Sequence, residues 1–475
     1  MPASEDLLSC FGAYDIRGLS PEIIDENAAR RIGHSMAKTR RARKLVIGHD
    51  ARATSPKLAA AASLGMREAG SDVIELGLCG TEEVYFATAQ SGADGGISVT
   101  ASHNPMEYNG FKLIGPNARV LSGQGGLDEI RKDLTSCQGR LALQQGRRVN
   151  GRRMRAAFVE KVLSFLPDGP SNPLTILVNA GNGAAGPTVD AIISALQASA
   201  VPWHFIRHNH VPDTQFPKGI PNPLLRENRL DMTQAVRNAG CSFGVAWDGD
   251  FDRCFFFDER GCFIPGEYIV AILARHFCKG EKGKIVYDPR VTGCIESEVS
   301  AANGQAILSR CGHVFMKEAM QASGAAYGGE RSGHHYFRDF MGCDSGMIPM
   351  LVVAGILAKG TLSLSEITEP YRIHFPSSEE INFTIESIEN TMNIVMQKYA
   401  DRAGAIDCFD GLSARFPTWR FNLRPSKTEN CLRLCVESTR DRQHVEEKAL
   451  EISNLINGLH ARPTNQATSR LVPEG

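Results

Sequence analysis

A serine hydroxyl with basic neighbours is the first candidate for chemistry in the sequence. Ser102 lies in the motif TASHNP (residues 100–105), directly after a small-residue, apolar run (96–99) that predicts a strand. Open α/β sheets bind ligands at the carboxyl ends of their strands, so we expect Ser102 on a binding loop. The imidazole of His103 beside it and the ammonium of Lys112 further on, which we place on the next turn, are groups that phosphoryl transfer needs for proton movement and charge neutralisation. Simple turn formation by Asn-Pro and Asn-Gly is the alternative interpretation.

Three aspartates alternate with other residues after a second apolar run. Asp248, Asp250 and Asp252 follow residues 243–247, and in an extended segment their side chains all point to one side. Three carboxylates within about 4 Å of one another repel by several kcal/mol per pair at an effective dielectric of roughly 20, so a divalent cation is expected among them. Oxygen ligands favour Mg²⁺ or Ca²⁺, and three of them leave a position for a phosphate oxygen, which Arg253 can also bind.

Two other functions compete for the same part of the chain. An EF-hand would take Glu259 as its twelfth residue from Asp248, but Arg253 stands where such a loop requires Gly, and residues 254–257 are apolar. A Ca²⁺-binding interaction module is therefore only an alternative. An oxidoreductase would use the G-x-G-x-x-G pattern at 181–186, but the next strand lacks the acidic residue that a nicotinamide cofactor needs. A tight turn with close helix and strand packing is the preferred interpretation.

Two later motifs carry groups that bind sugars and phosphates. The motif GGERSGHH (328–335) combines a carboxylate, a hydroxyl and two imidazoles, which can hydrogen-bond vicinal sugar hydroxyls. A metal site from Glu330, His334 and His335 and a plain surface turn are the alternatives, although neighbouring His side chains on a regular element cannot face one ion. The motif RPSKTEN (424–430) offers two cations, two hydroxyls and loop amides, which is the composition of a phosphate site.

The elements that must position these groups repeat along the 475 residues. A short apolar run followed by a helical pattern recurs in three α/β units, at 44–76, 174–198 and from 284 onward. After residue 375 alternating runs and one helix (444–459) predict a small α+β module. The expected class is α/β, with three similar mixed α/β domains and a smaller C-terminal α+β domain. The expected boundaries are 1–155, 156–257, 258–372 and 373–460, with a disordered tail at 461–475.

The composition narrows the classes of function. The 52 Lys and Arg nearly balance the 53 Asp and Glu, which leaves no positive surplus for nucleic acid or an anionic membrane. Apolar runs such as 347–357 are shorter than the roughly 20 residues that span a bilayer, and the N-terminus has no signal pattern, so a cytoplasmic protein is expected. The 13 cysteines contain no C-x-x-C pair, so we expect reduced, buried thiols and no zinc site.

Taken in order, these motifs resemble the α-D-phosphohexomutase family. The serine loop, the D-x-D-x-D-R loop, the G-E-x-S-G-H loop and the R-x-S-x-T loop follow one another as in that family, and FGAYDIRG (11–18) is similar to its start. The resemblance covers about residues 9–457. Within the family, TEEVYF (81–86), DPR (288–290) and HHYFRDFMGCDSGMIP (334–349) look most like the bacterial phosphomannomutases of GDP-mannose and surface-polysaccharide synthesis.

The resemblance implies a fold, a reaction and site roles. It implies four domains around a central active-site cleft, in a monomer or homodimer. The implied reaction interconverts mannose 6-phosphate and mannose 1-phosphate through a phosphoserine and a hexose 1,6-bisphosphate, with a phosphoglucomutase or a dual-specificity enzyme as the alternative. The implied roles are phosphoserine and metal ligand for Ser102, Mg²⁺ ligands for Asp248, Asp250 and Asp252, catalytic assistance by Arg17, His103 and Lys112, and substrate contacts by Arg253, Arg290, His313, Glu330, Ser332, His334, Arg424, Ser426, Lys427 and Thr428.

Overall fold

A computed structural model describes residues 4–136, 142–169, 172–278, 283–426 and 431–459. The chain divides into two compact units. The first consists of Met1–Asp288 with Cys294–Glu369, and the second of Pro289–Gly293 with Pro370–Gly475. In the described residues, the first unit holds three β-sheets and the second unit holds one.

The first sheet carries the serine loop. Its strands lie in the order β1-β5-β4-β2-β3-β6, with β2, β3, β4 and β6 parallel and β1 and β5 antiparallel to their neighbours. The chain leaves β2 towards β3 and returns to β4 on the other side, so the carboxyl ends of β2 and β4 form a topological switch point, where such sheets bind ligands. The elements are α1 Glu5–Ser9, β1 Asp15–Leu19, α2 Glu26–Thr39, β2 Lys44–His49, α3 Ser55–Glu68, β3 Asp72–Leu78, α4 Thr81–Gln90, β4 Gly95–Val99, β5 Tyr108–Ile114, α5 Asp128–Ser136 and β6 Arg148–Asn150.

The second sheet carries the aspartate loop, in the strand order β11-β10-β9-β7-β8. Strands β9 and β10 are antiparallel, and Trp247 pairs with Cys254. Residues 248–253 therefore form the connection of a hairpin between two fully buried strands. The elements are α6 Met154–Leu163, β7 Leu174–Asn179, α7 Ala185–Ala198, β8 Trp203–His208, α8 Leu230–Ala239, β9 Phe243–Trp247, β10 Cys254–Phe257 and β11 Phe263–Ile264.

The third sheet carries the GERSGH loop, in the strand order β13-β12-β14-β15-β16. Strands β14 and β15 are antiparallel with Gly329 opposite His335, so residues 330–334 connect them. The elements are α9 Gly266–Phe277, β12 Lys284–Tyr287, α10 Gly293–Ala301, β13 Gln305–Leu308, α11 His313–Ser323, β14 Tyr327–Gly329, β15 His335–Phe337, β16 Cys343–Asp344, α12 Met347–Lys359 and α13 Leu364–His374.

The second unit is an antiparallel sheet with two helices. Its strands follow the order β17-β21-β20-β19-β18 and enclose a core around Tyr399, Phe421 and Leu434. The elements are β17 Ile381–Phe383, α14 Ile388–Ala400, β18 Ala405–Asp407, β19 Leu412–Arg415, β20 Trp419–Pro425, β21 Leu432–Ser438 and α15 Arg442–Leu459.

The predicted class is confirmed, since mixed α/β sheets precede a C-terminal β-rich part. The domain boundaries near 155, 257 and 372 stay a prediction, and the predicted disordered tail lies outside the described residues. Within the described ranges, no single helix is long and apolar enough to cross a membrane; α12 and α13 pass that test only as a pair, bent by 103°.

A buried ion pair holds the short segment Pro289–Gly293 in the second unit. The Glu437 carboxylate accepts hydrogen bonds from Arg420 Nη1 at 2.7 Å and from the backbone N–H groups of Thr292 at 3.0 Å and Gly293 at 3.1 Å. Glu437 and Arg420 are both buried. Removal of one charge from a buried pair leaves the other without compensation.

We therefore expect Glu437→Gln to lower the free energy of unfolding of the second unit by about 3 kcal/mol or more. Calorimetric unfolding of the full chain measures this change. The control is Glu446→Gln, which removes half of an exposed pair with Arg442 on α15 and should cost less than about 0.5 kcal/mol. Equal unfolding temperatures for the two variants would contradict the expectation.

Candidate active site

The serine loop places Ser102 against an aspartate from the second sheet. Ser102 Oγ donates to Asp248 Oδ2 at 2.7 Å and lies 3.1 Å from His103 Nδ1. Its backbone is left-handed, with φ of 50°, a conformation that is uncommon for a residue other than Gly and concentrates at functional sites. Gly249 permits the approach, because a Cβ there would lie 2.6 Å from the Ser102 carbonyl oxygen. The predicted meeting of the serine and aspartate loops is present.

Two arginines donate hydrogen bonds to the serine loop. Arg52 is buried and donates to the carbonyl oxygens of Ser102 at 3.0 Å, Asn104 at 2.5 Å, Pro105 at 2.7 Å and Tyr108 at 2.9 Å. Asp50 lies 3.5 Å from Arg52 Nε and accepts from Ser55. Arg17, on β1, donates to the Ala101 carbonyl oxygen at 3.3 Å and to the side chain of Asn104. The position of the hydroxyl is therefore fixed through backbone carbonyls.

The three aspartates converge, but the reason derived from the sequence is wrong. Residues 248–253 are a turn and not an extended segment, and Phe251 has φ of 46°. Its buried ring packs on Gly80, where a Cβ would collide with it. The turn brings one oxygen of each of Asp248, Asp250 and Asp252 within 4.8 Å of the other two. A hairpin turn, rather than strand alternation, collects the carboxylates.

Two basic side chains offset part of the charge of this cluster. Lys112 lies on β5, not on a turn as expected, and its Nζ is 2.6 Å from Asp250 Oδ2 and 2.5 Å from Asp252 Oδ2. Arg253 Nη2 is 2.7 Å from Asp248 Oδ2. All three carboxylates are buried, so two cations compensate three anions and one negative charge is left over.

The orphaned oxygens of the cluster fit a divalent cation. Asp250 Oδ1 and Asp252 Oδ1 are buried and have no hydrogen-bond donor within the described part of the chain. Oxygens that are buried without a donor are costly unless an ion or water binds them. All the candidate metal ligands of the three aspartates are carboxylate oxygens, the ligand type that Mg²⁺ and Ca²⁺ prefer. The residues present therefore suit a metal ion of this kind.

The titration of the site follows from burial and from these charges. Burial raises the pKa of Asp248 to about 6, against the opposing effect of Arg253. Burial also disfavours the ionised form of Asp252, yet Lys112 and Arg253 bring its pKa below the usual value. Lys112 has a raised pKa because the attraction of Asp250 and Asp252 outweighs the cost of burial. Lys112 thus keeps its proton and acts as a fixed positive charge.

His103 is a neutral imidazole in this arrangement. The guanidinium groups of Arg253 and Arg17 hold its pKa well below the ordinary value. Arg253 Nη2 contacts His103 Nδ1, and because a guanidinium N–H only donates, Nδ1 must accept and the ring proton resides on Nε2.

The GERSGH loop (residues 329–334) pairs through its backbone with the end of the aspartate loop. Arg253 and His334 form an isolated antiparallel bridge, and the Cys254 amide donates to the Gly333 carbonyl at 3.0 Å. Glu330 is buried and accepts from the Gly312 amide at 2.9 Å and from the Tyr336 hydroxyl at 2.6 Å. His334 Nε2 lies 3.7 Å from Asp252 Oδ1, so this predicted sugar-contacting residue stands beside the carboxylate cluster.

Ser332 and His313, two further predicted substrate contacts, each lie beside another side chain. Ser332 Oγ is 3.0 Å from His334 Nδ1. His313 begins α11, its ring contacts the ring of Tyr14 edge-on at 5.1 Å, and burial together with Lys317 holds its pKa well below the ordinary value.

His335 is a core residue. It is fully buried, its Nδ1 lies 2.7 Å from the Tyr327 hydroxyl, and its Nε2 has no hydrogen-bond partner among the residues described. Burial lowers the pKa of His335 from 6.5 to about 3. The unfolded chain therefore binds a proton here before the folded chain does, so stability that is present above pH 6.5 is lost as the pH falls towards 3.

We expect protonation of His335 to lower the free energy of unfolding by about 2 kcal/mol as the pH falls from 6.5 to 5, at about 1.4 kcal/mol per pH unit. Unfolding of the His335→Gln variant should depend less on pH than unfolding of the unaltered chain, as measured by thermal melts across that range. His374→Gln, which alters an exposed imidazole at the end of α13, should keep the original slope. Identical slopes for the His335 variant and the unaltered chain would show that the imidazole is not the cause.

The predicted phosphate-contacting residues belong to the second unit. Arg424 lies within β20 instead of the expected loop, and its Nη2 is 3.2 Å from Glu380 Oε2. Arg290 Nη1 is 3.8 Å from the same oxygen. Ser426 follows β20, and its amide donates to the Cys431 carbonyl at 2.8 Å. Lys427 and Thr428 lie outside the described residues, so their roles stay predictions.

The glycine motif at 181–186 supports the aspartate loop. The Ala184 amide donates to the Gly249 carbonyl at 3.2 Å, and a Cβ at Gly183 would lie 3.0 Å from that oxygen. At Gly186 a Cβ would collide with the His210 carbonyl oxygen. Close backbone packing thus explains these glycines, as the sequence interpretation proposes.

Two site residues escaped the sequence analysis. The first is Arg52, whose guanidinium donates to the carbonyl oxygens of the serine loop. The second is Thr81, whose Oγ1 donates to Asp250 Oδ2 at 2.6 Å and whose amide donates to the Asp250 carbonyl at 3.2 Å. A signal for Arg52 was available, because Asp50 and Arg52 are charged residues that follow directly on the buried run of β2. Charges at the carboxyl end of a buried strand indicate a site.

Three family models match this chain. They describe the alpha/beta/alpha domains I, II and III of phosphoglucomutase/phosphomannomutase and match residues 9–137, 156–261 and 265–373. The chain therefore belongs to the phosphoglucomutase/phosphomannomutase family. It is a phosphohexomutase, an intramolecular phosphotransferase of the isomerase class.

Relatives and solved structures agree with this membership. A phosphomannomutase of Salmonella montevideo is 46% identical over 453 residues, which is 95% of this chain and 99% of the relative. A phosphomannomutase of Escherichia coli K12 is 44% identical over 453 residues, 95% of this chain and 99% of the relative. A crystal structure of a phosphoglucomutase/phosphomannomutase family protein from Burkholderia thailandensis superposes with a TM-score of 0.83 at 25% identity, covering 95% of this chain and 98% of the other. A phosphoglucomutase from Paramecium, with a TM-score of 0.75 at 17% identity over 96% of both chains, shares the fold.

Proposed function

We propose that this phosphohexomutase interconverts mannose 6-phosphate and mannose 1-phosphate through phosphorylated Ser102 and a hexose 1,6-bisphosphate. The observation that carries the proposal is the 2.7 Å distance between Ser102 Oγ and Asp248 Oδ2, which sets a hydroxyl against three convergent carboxylates. Relatives named phosphomannomutase support mannose as the sugar. Phosphoglucomutase activity, alone or alongside, is the second candidate, because the family models carry both names.

In this proposal Asp248, Asp250 and Asp252 hold Mg²⁺, with the Ser102 phosphoryl oxygens as a further ligand. The two orphaned oxygens of Asp250 and Asp252 support this assignment. When bound, the cation supplies positive charge to the phosphoryl group during transfer.

The side chains of this chain supply the remaining charge and the proton transfer. Arg253, at the Ser102 hydroxyl, and Lys112, at the carboxylates, balance the negative charge that moves with the phosphoryl group. His103 Nδ1 lies 3.1 Å from Ser102 Oγ and is assigned to assist proton transfer, while the hydroxyl itself donates to Asp248 and Nδ1 contacts Arg253. Arg17 assists by holding the carbonyl of Ala101 in place.

Sugar and distal-phosphate recognition completes the proposal. Glu330 and Ser332, with His313, His334 and Arg290, are assigned to the substrate hydroxyls, and Arg424, Ser426, Lys427 and Thr428 to the second phosphate. A carboxylate and a hydroxyl on one loop suit vicinal hydroxyls, and a guanidinium suits a phosphate. A cytoplasmic role in GDP-mannose supply belongs to the same proposal.

The decisive test compares the two sugars. With Mg²⁺ and a trace of the matching 1,6-bisphosphate, we expect kcat/KM for mannose 1-phosphate to exceed that for glucose 1-phosphate by about tenfold, which corresponds to about 1.4 kcal/mol from the C2 hydroxyl. Parallel initial rates measure the ratio. Turnover of glucose 1-phosphate alone would replace mannose by glucose, and turnover of neither would refute the proposal.

A further inference from the structure

A cavity lies beside the first sheet, and no residue of the serine or aspartate loop lines it. It measures about 500 Å³ and opens at the carboxyl ends of β2, β3 and β6, with α3 as one wall. Sites for small molecules typically measure about 300–1,000 Å³. None of the residues that line it belongs to the candidate active site. We name it the basic cavity and define it by the six lining residues His49, Ala60, Glu75, Arg148, Asn150 and Arg152.

The basic cavity has a net positive charge, because its one carboxylate pairs with one of its two arginines. Arg148 Nε is 2.5 Å from Glu75 Oε2, and the second oxygen of Glu75 accepts from Ser63 at 2.7 Å. This glutamate is therefore already neutralised. For Arg152 no carboxylate lies within ion-pair distance anywhere in the described ranges. One guanidinium is thus left to attract an anion, and only one nitrogen of Arg148 is used by Glu75.

The polar groups around Arg152 suit a phosphate group. The Arg152 amide donates to Asn150 Oδ1 at 3.0 Å, which leaves the Asn150 amide nitrogen to donate. Arg152 Nε lies 3.7 Å from the point that a Cβ at Gly77 would occupy, so the guanidinium stands over the end of β3. Guanidinium groups bind phosphate oxygens in pairs, and an amide N–H adds a further donor.

The rest of the basic cavity suits a ring attached to that phosphate. Ile47, Pro56, Ala59 and Ala60 form an apolar wall. His49 Nδ1 lies 2.9 Å from the Asp50 carbonyl oxygen, and because a carbonyl only accepts, Nδ1 carries the proton and Nε2 is left to accept from a ligand. Inorganic phosphate would leave most of this volume empty.

We propose that the basic cavity is a second binding site of the protein, for a small phosphate monoester that carries an aromatic ring, of the size of a nucleoside monophosphate. Arg152 and Arg148 contact the phosphate, Asn150 donates to it, and the apolar wall packs on the ring. The proposal does not depend on which hexose phosphate the active site takes.

The test is calorimetric titration of the full chain, with Mg²⁺, using GMP and AMP as probes and guanosine as the uncharged control. We expect at least one nucleotide to bind, and guanosine to bind at least about tenfold more weakly. Arg152→Gln should weaken nucleotide binding by about tenfold or more. Ala60→Phe, which fills the cavity from the exposed side of α3 and removes no charge, should weaken it similarly. Thermal melts of both variants check the fold.

Two controls separate this site from general charge attraction and from the active site. Arg153→Gln removes the same charge one residue on, outside the lining, and should change nucleotide affinity by less than about twofold. Excess mannose 6-phosphate should not displace the nucleotide. The proposal is overturned if neither nucleotide binds at millimolar concentration, if Arg152→Gln and Ala60→Phe bind normally, if Arg153→Gln loses binding equally, or if the sugar phosphate competes.

Discussion

Replacing Ser102 by alanine is expected to lower mutase turnover by about 10⁴-fold or more, because no other oxygen at that position can accept and return the phosphoryl group. The expected loss is in kcat, since Arg253, Lys112 and the GERSGH loop, to which the proposal assigns substrate contacts, are unchanged. Coupled assays of mannose 1-phosphate conversion measure the rate. Intact-protein mass spectrometry after incubation with the 1,6-bisphosphate should find one added phosphoryl group on the unaltered chain and none on the variant.

The matched control is Ser136→Ala, which removes an exposed hydroxyl at the end of α5. It should keep full turnover and still take up the phosphoryl group. If the Ser102 variant retained more than about a tenth of the rate, covalent transfer through this hydroxyl would be refuted.

Replacing Asp250 by asparagine is expected to lower turnover by about 10³-fold and to weaken Mg²⁺ binding by about tenfold or more. The amide removes one of the negative charges that attract the cation. It also replaces the ion pair with Lys112 Nζ by, at most, a neutral hydrogen bond to the amide oxygen. Calorimetric titration of the metal and steady-state rates over a range of Mg²⁺ concentrations separate weaker metal binding from slower chemistry.

Asp339→Asn is the control for this second effect. Asp339 is exposed and pairs only with its neighbour Arg338 among the ion pairs seen, so its replacement should alter neither metal affinity nor rate. If the Asp250 variant bound Mg²⁺ as tightly as the unaltered chain, the cation would have to be held elsewhere.

The position of the serine and aspartate loops at the ligand-binding edges of their sheets was predictable because both follow buried strands, whereas their meeting was implied by the family resemblance. A polar motif at the carboxyl end of an apolar run lies at the ligand-binding edge of an α/β sheet, whichever sheet it belongs to. Ser102 and Asp248 satisfy this rule in two different sheets, and their residue types led to the hypotheses of phosphoryl transfer and of a bound cation. Neither inference needs a distance, which is why both could be made from the sequence.

The geometry that aligns these groups was not predictable in the same way. Asp248–Asp252 alternate in sequence as strand residues do, but the left-handed Phe251 turns the chain, because its ring packs on Gly80, a residue distant in sequence. Long-range packing of this kind leaves no local periodicity. Likewise Lys112 was expected on a turn and lies on a strand, since its run from Tyr108 to Ile114 mixes polar and apolar residues.

The hydrogen bonds from Arg52 to the serine loop have a consequence for protein engineering. Its guanidinium bonds to main-chain oxygens alone across the loop, at Ser102, Asn104, Pro105 and Tyr108. Every amino acid has a main-chain oxygen, so the backbone conformation that Arg52 stabilises here does not depend on most of the side chains in the serine loop. The exposed side chain of Met106 can therefore be exchanged while the backbone of the serine loop keeps its shape.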